Sequence, residues 1–329
     1  MKVTTKPKGL AKIWRENQRP FKKVWREIKR PFRQAMSLFN PHEHLSSTGY
    51  LTLNFEKIEQ FESDVLMSID DGTGWQDATA LKESEMTKTE RLFLNGIIRK
   101  ARPKKIVEYG VAAGGSAAVI LNSIKDIPDA KLYSLDYSER YYVDMSKPVG
   151  WMVQERFPHL ADKWECLAGG MCCQYLDKIT DNGNDKIDVC CLDTVHQNPG
   201  EFLNILEVLP YMKQNGIILL HDLARHLGGY PEGAHRSTCR ICFNSLHGKR
   251  IVLWDDRQHI IHSNFGGVIL ADDITDMYYS CFTNLSLPWM YSIGEKNYNV
   301  LLRHFQRHYA PELVAIFRKA YRFYAEKVR

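Results

Sequence analysis

Between residues 88 and 271 short apolar runs alternate with amphipathic stretches. The runs fall at 105–109, 131–136, 164–168, 187–192 and 216–221. Helical patterns lie between them, to about 125, near 172–180 and over 200–213, and the turn Lys213-Gln214-Asn215 opens the last run. Strands of this length interleaved with helices predict a parallel sheet covered on both faces. Beyond a helix near 232–247 come two more apolar runs, 249–254 and 265–271. No crossover helix fits between them, so they are expected to pair antiparallel at the sheet edge, giving seven strands in all. Upstream, Thr87 and Glu90 form a capping box for a helix carrying Leu92, Phe93, Ile97 and Ile98, and Pro103 stops it. Residues 47–85 are mixed and end in the loop-like Asp70-Asp71-Gly72-Thr73-Gly74. Residues 295–328 predict two amphipathic helices around Pro311, with Leu313, Ile316, Phe317, Ala320, Tyr321 and Tyr324 spaced for packing.

Charge divides the chain differently. Residues 1–36 hold twelve Lys and Arg against Glu16 and Glu27, about +10, while the whole chain is +5. A basic arm therefore precedes a mildly acidic body. Within the arm, Trp14-Arg15-Glu16-Asn17-Gln18-Arg19-Pro20-Phe21-Lys22 returns eleven residues later as Trp25-Arg26-Glu27-Ile28-Lys29-Arg30-Pro31-Phe32-Arg33. Eleven residues are close to three helical turns, so Trp and Phe come back to similar faces, with kinks or breaks at the prolines. Two readings stay open: an interfacial segment for an anionic membrane surface, or a helix packed on the body or a partner. Nucleic acid is disfavoured, because no matching basic surface follows. The division expected is an arm at 1–46, a catalytic domain at 47–275 and a helical extension at 276–329.

No apolar run approaches the roughly 20 residues of a membrane span, and the basic start has no apolar core of an export signal. The eight cysteines show no disulfide framework, which favours reduced thiols and a cytoplasmic setting, with peripheral membrane attachment through the arm as the further expectation. Cys239-Arg240-Ile241-Cys242 is a lone CxxC; a zinc site would want a second such pair or a spaced histidine pair.

The densest chemical signal is Ile106-Val107-Glu108-Tyr109-Gly110-Val111-Ala112-Ala113-Gly114-Gly115-Ser116, a strand feeding a helix through a glycine-rich turn. The spacing is Gly-x3-Gly-Gly, not the Gly-x-Gly-x-x-Gly of a dinucleotide fingerprint. Glu108, two residues before the first glycine, would repel a phosphate and suit a cationic group, so the turn points to a nucleoside carrying an ammonium, such as S-adenosylmethionine. Asp136 lies 26 residues past Gly110, about where an acid would bind the two ribose hydroxyls. Asp193 and His196, and then His221 and Asp222, stand at the ends of later strands, where open parallel sheets gather ligands.

Together these features resemble the class I S-adenosylmethionine-dependent methyltransferases over residues 87–271. Leu192-Asp193-Thr194-Val195-His196, Pro210-Tyr211-Met212-Lys213-Gln214-Asn215-Gly216 and Leu220-His221-Asp222 are similar to a subgroup holding the macrocin and mycinamicin O-methyltransferases and cephalosporin hydroxylase-like proteins. The resemblance implies a Rossmann-like α/β fold with a terminal antiparallel strand pair. It implies that Glu108, Gly110, Gly114, Gly115 and Ser116 hold the methionine part, Asp136 the ribose, and Gly169-Gly170-Met171 the adenine. It further implies that Asp193, His221 and Asp222 sit at the positions of a magnesium site, and that His196 is the base. His221 stands where relatives often carry an acid, and magnesium prefers oxygen. The activity implied is O-methylation of a sugar, glycan or small-molecule hydroxyl. A hydroxylase-like enzyme on the same fold and a non-catalytic adaptor that keeps nucleoside binding are the alternatives, since fold does not fix function.

Overall fold

A computed structural model describes residues 50–54, 86, 88–224, 237–254, 264–325 and 327. The basic arm with its repeat, the loop at 70–74, Thr87 and the segment 225–236 lie outside these residues. Eight strands make one sheet: β1 (Tyr50–Asn54), β2 (Lys105–Tyr109), β3 (Lys131–Asp136), β4 (Trp164–Ala168), β5 (Ile187–Leu192), β6 (Met212–Leu220), β7 (Gly248–Trp254) and β8 (Gly266–Leu270). Their order is β1-β7-β8-β6-β5-β2-β3-β4. Strands β2 to β6 run parallel, and β8 is antiparallel to both β6 and β7.

Seven of these strands are the expected ones, in a Rossmann-like arrangement. The eighth, β1, comes from the stretch that reads as mixed. It pairs parallel with β7, from Tyr50 on Arg250 to Asn54 on Trp254. The antiparallel pair therefore does not end the sheet, because β1 covers the edge that β7 would otherwise expose.

The helices are α1 (Lys88–Ala101), α2 (Gly115–Ile124), α3 (Trp151–Arg156), α4 (Cys173–Ile179), α5 (Gly200–Val208), α6 (Thr238–Ser245), α7 (Thr275–Thr283), α8 (Gly294–His308) and α9 (Pro311–Ala325). Side chains alternate along each strand, which sorts the core into two layers. Ile106, Leu132, Val189, Cys191 and Leu219 pack with α1, α2 and α3. Val107, Leu135, Cys190, Leu192 and Ile218 pack with the remaining helices, among them Phe202, Phe243, Phe282, Phe305 and Phe317.

One boundary departs from expectation. Helix α5 stops at Val208, and Leu209–Tyr211 tightens into a 3-10 turn around Pro210. Pro210 would break a continuing α-helix but fits such a turn. Strand β6 then starts at Met212, and its register on β5 jumps from Met212 opposite Ile187 to Ile217 opposite Val189. Lys213-Gln214-Asn215, predicted to be a turn before the strand, is an irregularity within it, with Asn215 at φ 58°.

Candidate active site

The turn after β2 is shaped by its neighbours. Gly110 has φ +85°, and a Cβ there would lie 1.9 Å from the carbonyl oxygen of Asp193. Only glycine lets the loops after β2 and β5 approach so closely. The Gly110 N–H continues the ladder to the Leu135 carbonyl at 2.9 Å, and Gly114, at φ +99°, caps α2. Asp136, at the end of β3, clamps this turn. One oxygen accepts from the N–H groups of Val111 (2.9 Å) and Ala112 (3.4 Å), and the other from Ser138 N–H (2.9 Å). A carboxylate has about four lone-pair sites, so capacity for a ligand remains.

Glu108 faces the interior. It is wholly buried, and its two oxygens accept hydroxyl hydrogen bonds from Ser116 (2.5 Å) and Ser134 (2.6 Å). Burial pushes its pKa up to about 7, partly offset by those two hydroxyls. The carboxyl thus ties the start of α2 to β3. Gly114, Gly115 and Ser116 are not among the residues that line the cavity described next.

The cavity in front of the turn measures about 460 Å³, within the roughly 300–1,000 Å³ of small-molecule sites. Gly110 and Ala112 line it from the first loop, Asp136 from β3, and Gly170, Met171 and Cys172 from the loop after β4. Asp193, Thr194, Val195 and His196 follow from the loop after β5. The structure thus joins Gly110, Asp136, Met171, Asp193 and His196 of the expected residues around one space. Gly169 sits just outside, its N–H on the Asp136 carbonyl (3.1 Å) and its carbonyl receiving the Tyr175 hydroxyl (2.9 Å).

Several lining residues carried no advance signal. Tyr137, Arg140 and Tyr142 come from the loop after β3, and Asn204 from α5. Tyr291, Ser292 and Asn297 come from the C-terminal part, and the Asn297 amide donates to the Tyr137 hydroxyl at 3.2 Å. Asn198 anchors that part by donating to the carbonyls of Leu287 (2.6 Å) and Pro288 (3.0 Å). Lone polar residues on α8, a helix otherwise patterned for packing, give no sign of a cavity until the chain is folded.

Behind the loop after β5 lies a dense charged cluster. His196 Nε2 is 3.4 Å from Asp193 Oδ1 and 3.3 Å from Asp222 Oδ2. His196 and Asp222 both adopt left-handed backbone, at φ 56° and 57°, a strain of roughly 1–3 kcal/mol each for non-glycine residues. His221 Nδ1 is 3.2 Å from Asp193 Oδ1, while its Nε2 faces Glu90 Oε1 at 3.3 Å, close enough to pair as ions though not aligned as a hydrogen bond. Burial opposes the charge of His221, but Asp193 and Glu90 outweigh it, and its pKa stands well above the ordinary imidazole value. Asn264 bridges the rear of the cluster, donating to Glu90 (2.7 Å) and Asp222 (3.2 Å). Glu90, expected as one half of a capping box, is buried here among site residues.

Glu201, on α5, completes the surroundings of His196. It accepts the His196 backbone N–H and the Thr194 hydroxyl (3.1 Å), and its carboxylate stands 3.6 Å from His196 Nδ1. Burial raises its pKa to about 7, offset in part by the His196 N–H.

Residues 107–223, from β2 through the loop after β6, match the family described as Methyltransferase domain. No protein of curated function matches the chain. Among solved structures it is similar to the cofactor-bound Rv0187 from MTB, at 15% identity over 64% of this chain and 97% of that one, with a TM-score of 0.45. It is also similar to the O-methyltransferase TomG of Streptomyces achromogenes, involved in tomaymycin synthesis and solved with SAM, at 12% identity over 62% and 96%, TM-score 0.44. A third is the Bacillus cereus O-methyltransferase in complex with SAH, at 14% identity over 64% and 99%, TM-score 0.44.

Proposed function

We propose that this chain is an S-adenosylmethionine-dependent O-methyltransferase whose acceptor is a hydroxyl of a sugar or glycan. The observation that carries the reading is that Asp136 and His196 line one cavity, from strands on either side of β2. The cavity fits a nucleoside: its volume is sufficient, Asp136 offers a carboxylate for ribose hydroxyls, and Leu135, Met171 and Cys172 give apolar wall for a base. When bound, such a cofactor supplies an electrophilic methyl group on a sulfonium. The protein aligns an acceptor oxygen with it and removes the oxygen's proton. His196 is the group to take that proton, with Asp193, Asp222 and Glu201 close enough to stabilise the imidazolium.

Magnesium fits less well. Asp193 and Asp222 turn oxygens toward the cluster, but the third position is the imidazole of His221, whose two nitrogens already face Asp193 and Glu90. Magnesium demands near-octahedral oxygen ligation, which an imidazole does not supply. No step here is routed through it.

The acceptor class rests on the remaining wall. Tyr137, Tyr142 and Tyr291 present rings and hydroxyls, and Ser292, Asn204 and Asn297 add donors and acceptors suited to a polyhydroxylated ring. Incubation with methyl-labelled S-adenosylmethionine and separate glycan, phenol and peptide acceptors tests it. Label on a sugar hydroxyl, lost in His196→Gln, is expected. Label on phenols alone, or on nitrogen, would overturn the acceptor class. The arm at 1–46 would bring the enzyme to an anionic membrane surface. Liposome binding that persists after its deletion would remove that part. Among the described residues, no helix is long and apolar enough to cross a membrane.

A further inference from the structure

Beyond methyl transfer, the geometry points to a soft-metal site of the zinc class at the foot of the cavity, built from His196, Glu201 and Cys239. These three residues come from the loop after β5, from α5 and from the first turn of α6. Their donor atoms all lie within 4.8 Å of one another, and no ion occupies them. His196 Nδ1 stands 3.6 Å from Glu201 Oε1 and 3.6 Å from Cys239 Sγ. Zinc bonds of about 2.0–2.1 Å to nitrogen and oxygen and 2.3 Å to sulfur, set tetrahedrally, give ligand edges of roughly 3.4–3.6 Å. The two edges at His196 match those lengths, and the third, between Glu201 and Cys239, is within 4.8 Å.

Independent features support the assignment. Glu201 is 2% exposed, and its Oε2 has no hydrogen-bond partner among the described residues, an arrangement that buried carboxylates avoid unless a cation is near. Cys239 is equally buried at 2%. The opposite nitrogen of His196 faces Asp193 and Asp222 at 3.4 and 3.3 Å, the carboxylate support that orients metal-bound imidazoles. Thr194 holds Glu201, and Asn204 in turn holds Thr194 at 2.9 Å. Entry is through the cavity, which His196 lines. Zinc, unlike magnesium, competes with protons for thiol and imidazole and releases them on binding. The CxxC contributes one ligand only, because Cys242 is not among the converging donors.

A consequence follows that rests on the proposed function. A metal on Nδ1 leaves the imidazole proton on Nε2, toward the carboxylates, so His196 can no longer accept one from an acceptor. Bound zinc should therefore inhibit methyl transfer.

The test is a cobalt(II) titration of chelator-stripped, full-length protein followed by absorption spectroscopy. One equivalent should bind with a thiolate-to-cobalt charge-transfer band, and zinc should displace it. Cys239→Ser should abolish the band, Glu201→Gln should weaken binding by at least about tenfold, and Cys242→Ser should keep both. Circular dichroism checks that each variant is folded. If Cys239→Ser is not, alkylation mapping of the wild type decides, since cobalt should protect Cys239. A wild-type spectrum without a thiolate band, a band that survives Cys239→Ser, or absence of protection would overturn the site. Calorimetry of the metal-free protein with S-adenosylhomocysteine is a separate readout, so failure of the metal site and failure of the cofactor reading cannot be confused.

Discussion

The two halves of the cavity are built on opposite plans. Around Gly110 and Asp136 the work is done by backbone: a glycine packed against a carbonyl, and one carboxylate accepting three N–H groups. Around His196 and His221 it is done by charge, with Asp193, Asp222, Glu90 and Glu201 set about two imidazoles and two residues held in left-handed backbone. A ligand that enters and leaves with each turnover is served by a rigid cradle. Under the proposed function, a proton that must move is served by crowded titratable groups, among which His221 and Glu201 have pKa values raised above the ordinary. The difference predicts that substitutions in the first half change binding, and those in the second change rate.

The largest effect should come where the halves touch. Gly110→Ala drives a Cβ into the Asp193 carbonyl at a positive φ, so urea denaturation should show a loss on the order of 4 kcal/mol and cofactor binding should vanish with it. Unchanged stability would mean that the loops are not coupled. Next, Asp136→Ala removes a charge-assisted clamp and should weaken cofactor affinity by about a hundredfold, on the order of 3 kcal/mol, with little change in turnover at saturation. His196→Gln should do the reverse, lowering kcat by about a hundredfold or more while calorimetric cofactor affinity stays within about twofold. A loss of affinity there would erase the distinction.

The smallest effect concerns buried acids behind the cavity. Glu207 on α5 is fully buried, and burial raises its pKa to about 8 from 4.5. The folded state therefore keeps a proton that the unfolded chain releases, so stability is full below about pH 4.5 and falls as pH rises toward about 8. Glu207→Gln should remove part of that slope, on the order of 2 kcal/mol. Melting temperatures at both ends of the window check it, and an unchanged slope would assign the dependence to Glu108 or Glu201.

The same contrast governs what the sequence reveals. Strands β2 to β6 were legible because apolar runs bounded by glycine, proline and helical periods have few other uses. Strand β1 was not, because Tyr-Leu-Thr-Leu-Asn gains its meaning only from β7, some 200 residues later. Gly110 and Asp136 could be found by spacing, since the turn and the next strand lie close along the chain. The reason for Gly110 could not, because the atom it avoids belongs to Asp193. Glu90, Glu201 and Cys239 converge on two histidines from separate helices, and no local pattern marks them. Glu108 reads as a ligand contact because it is an acid beside a glycine turn, and its tie to Ser134, 26 residues on, is not visible along the chain.

The central claim is that the cavity bounded by Gly110 and Asp136 takes a sulfonium nucleoside. Calorimetric titration of the intact protein with S-adenosylhomocysteine, beside a nicotinamide dinucleotide, tests it most directly. Saturable heat is expected with the first ligand alone, and its loss in Asp136→Ala. Heat with the dinucleotide only, or an Asp136→Ala titration indistinguishable from wild type, would contradict it.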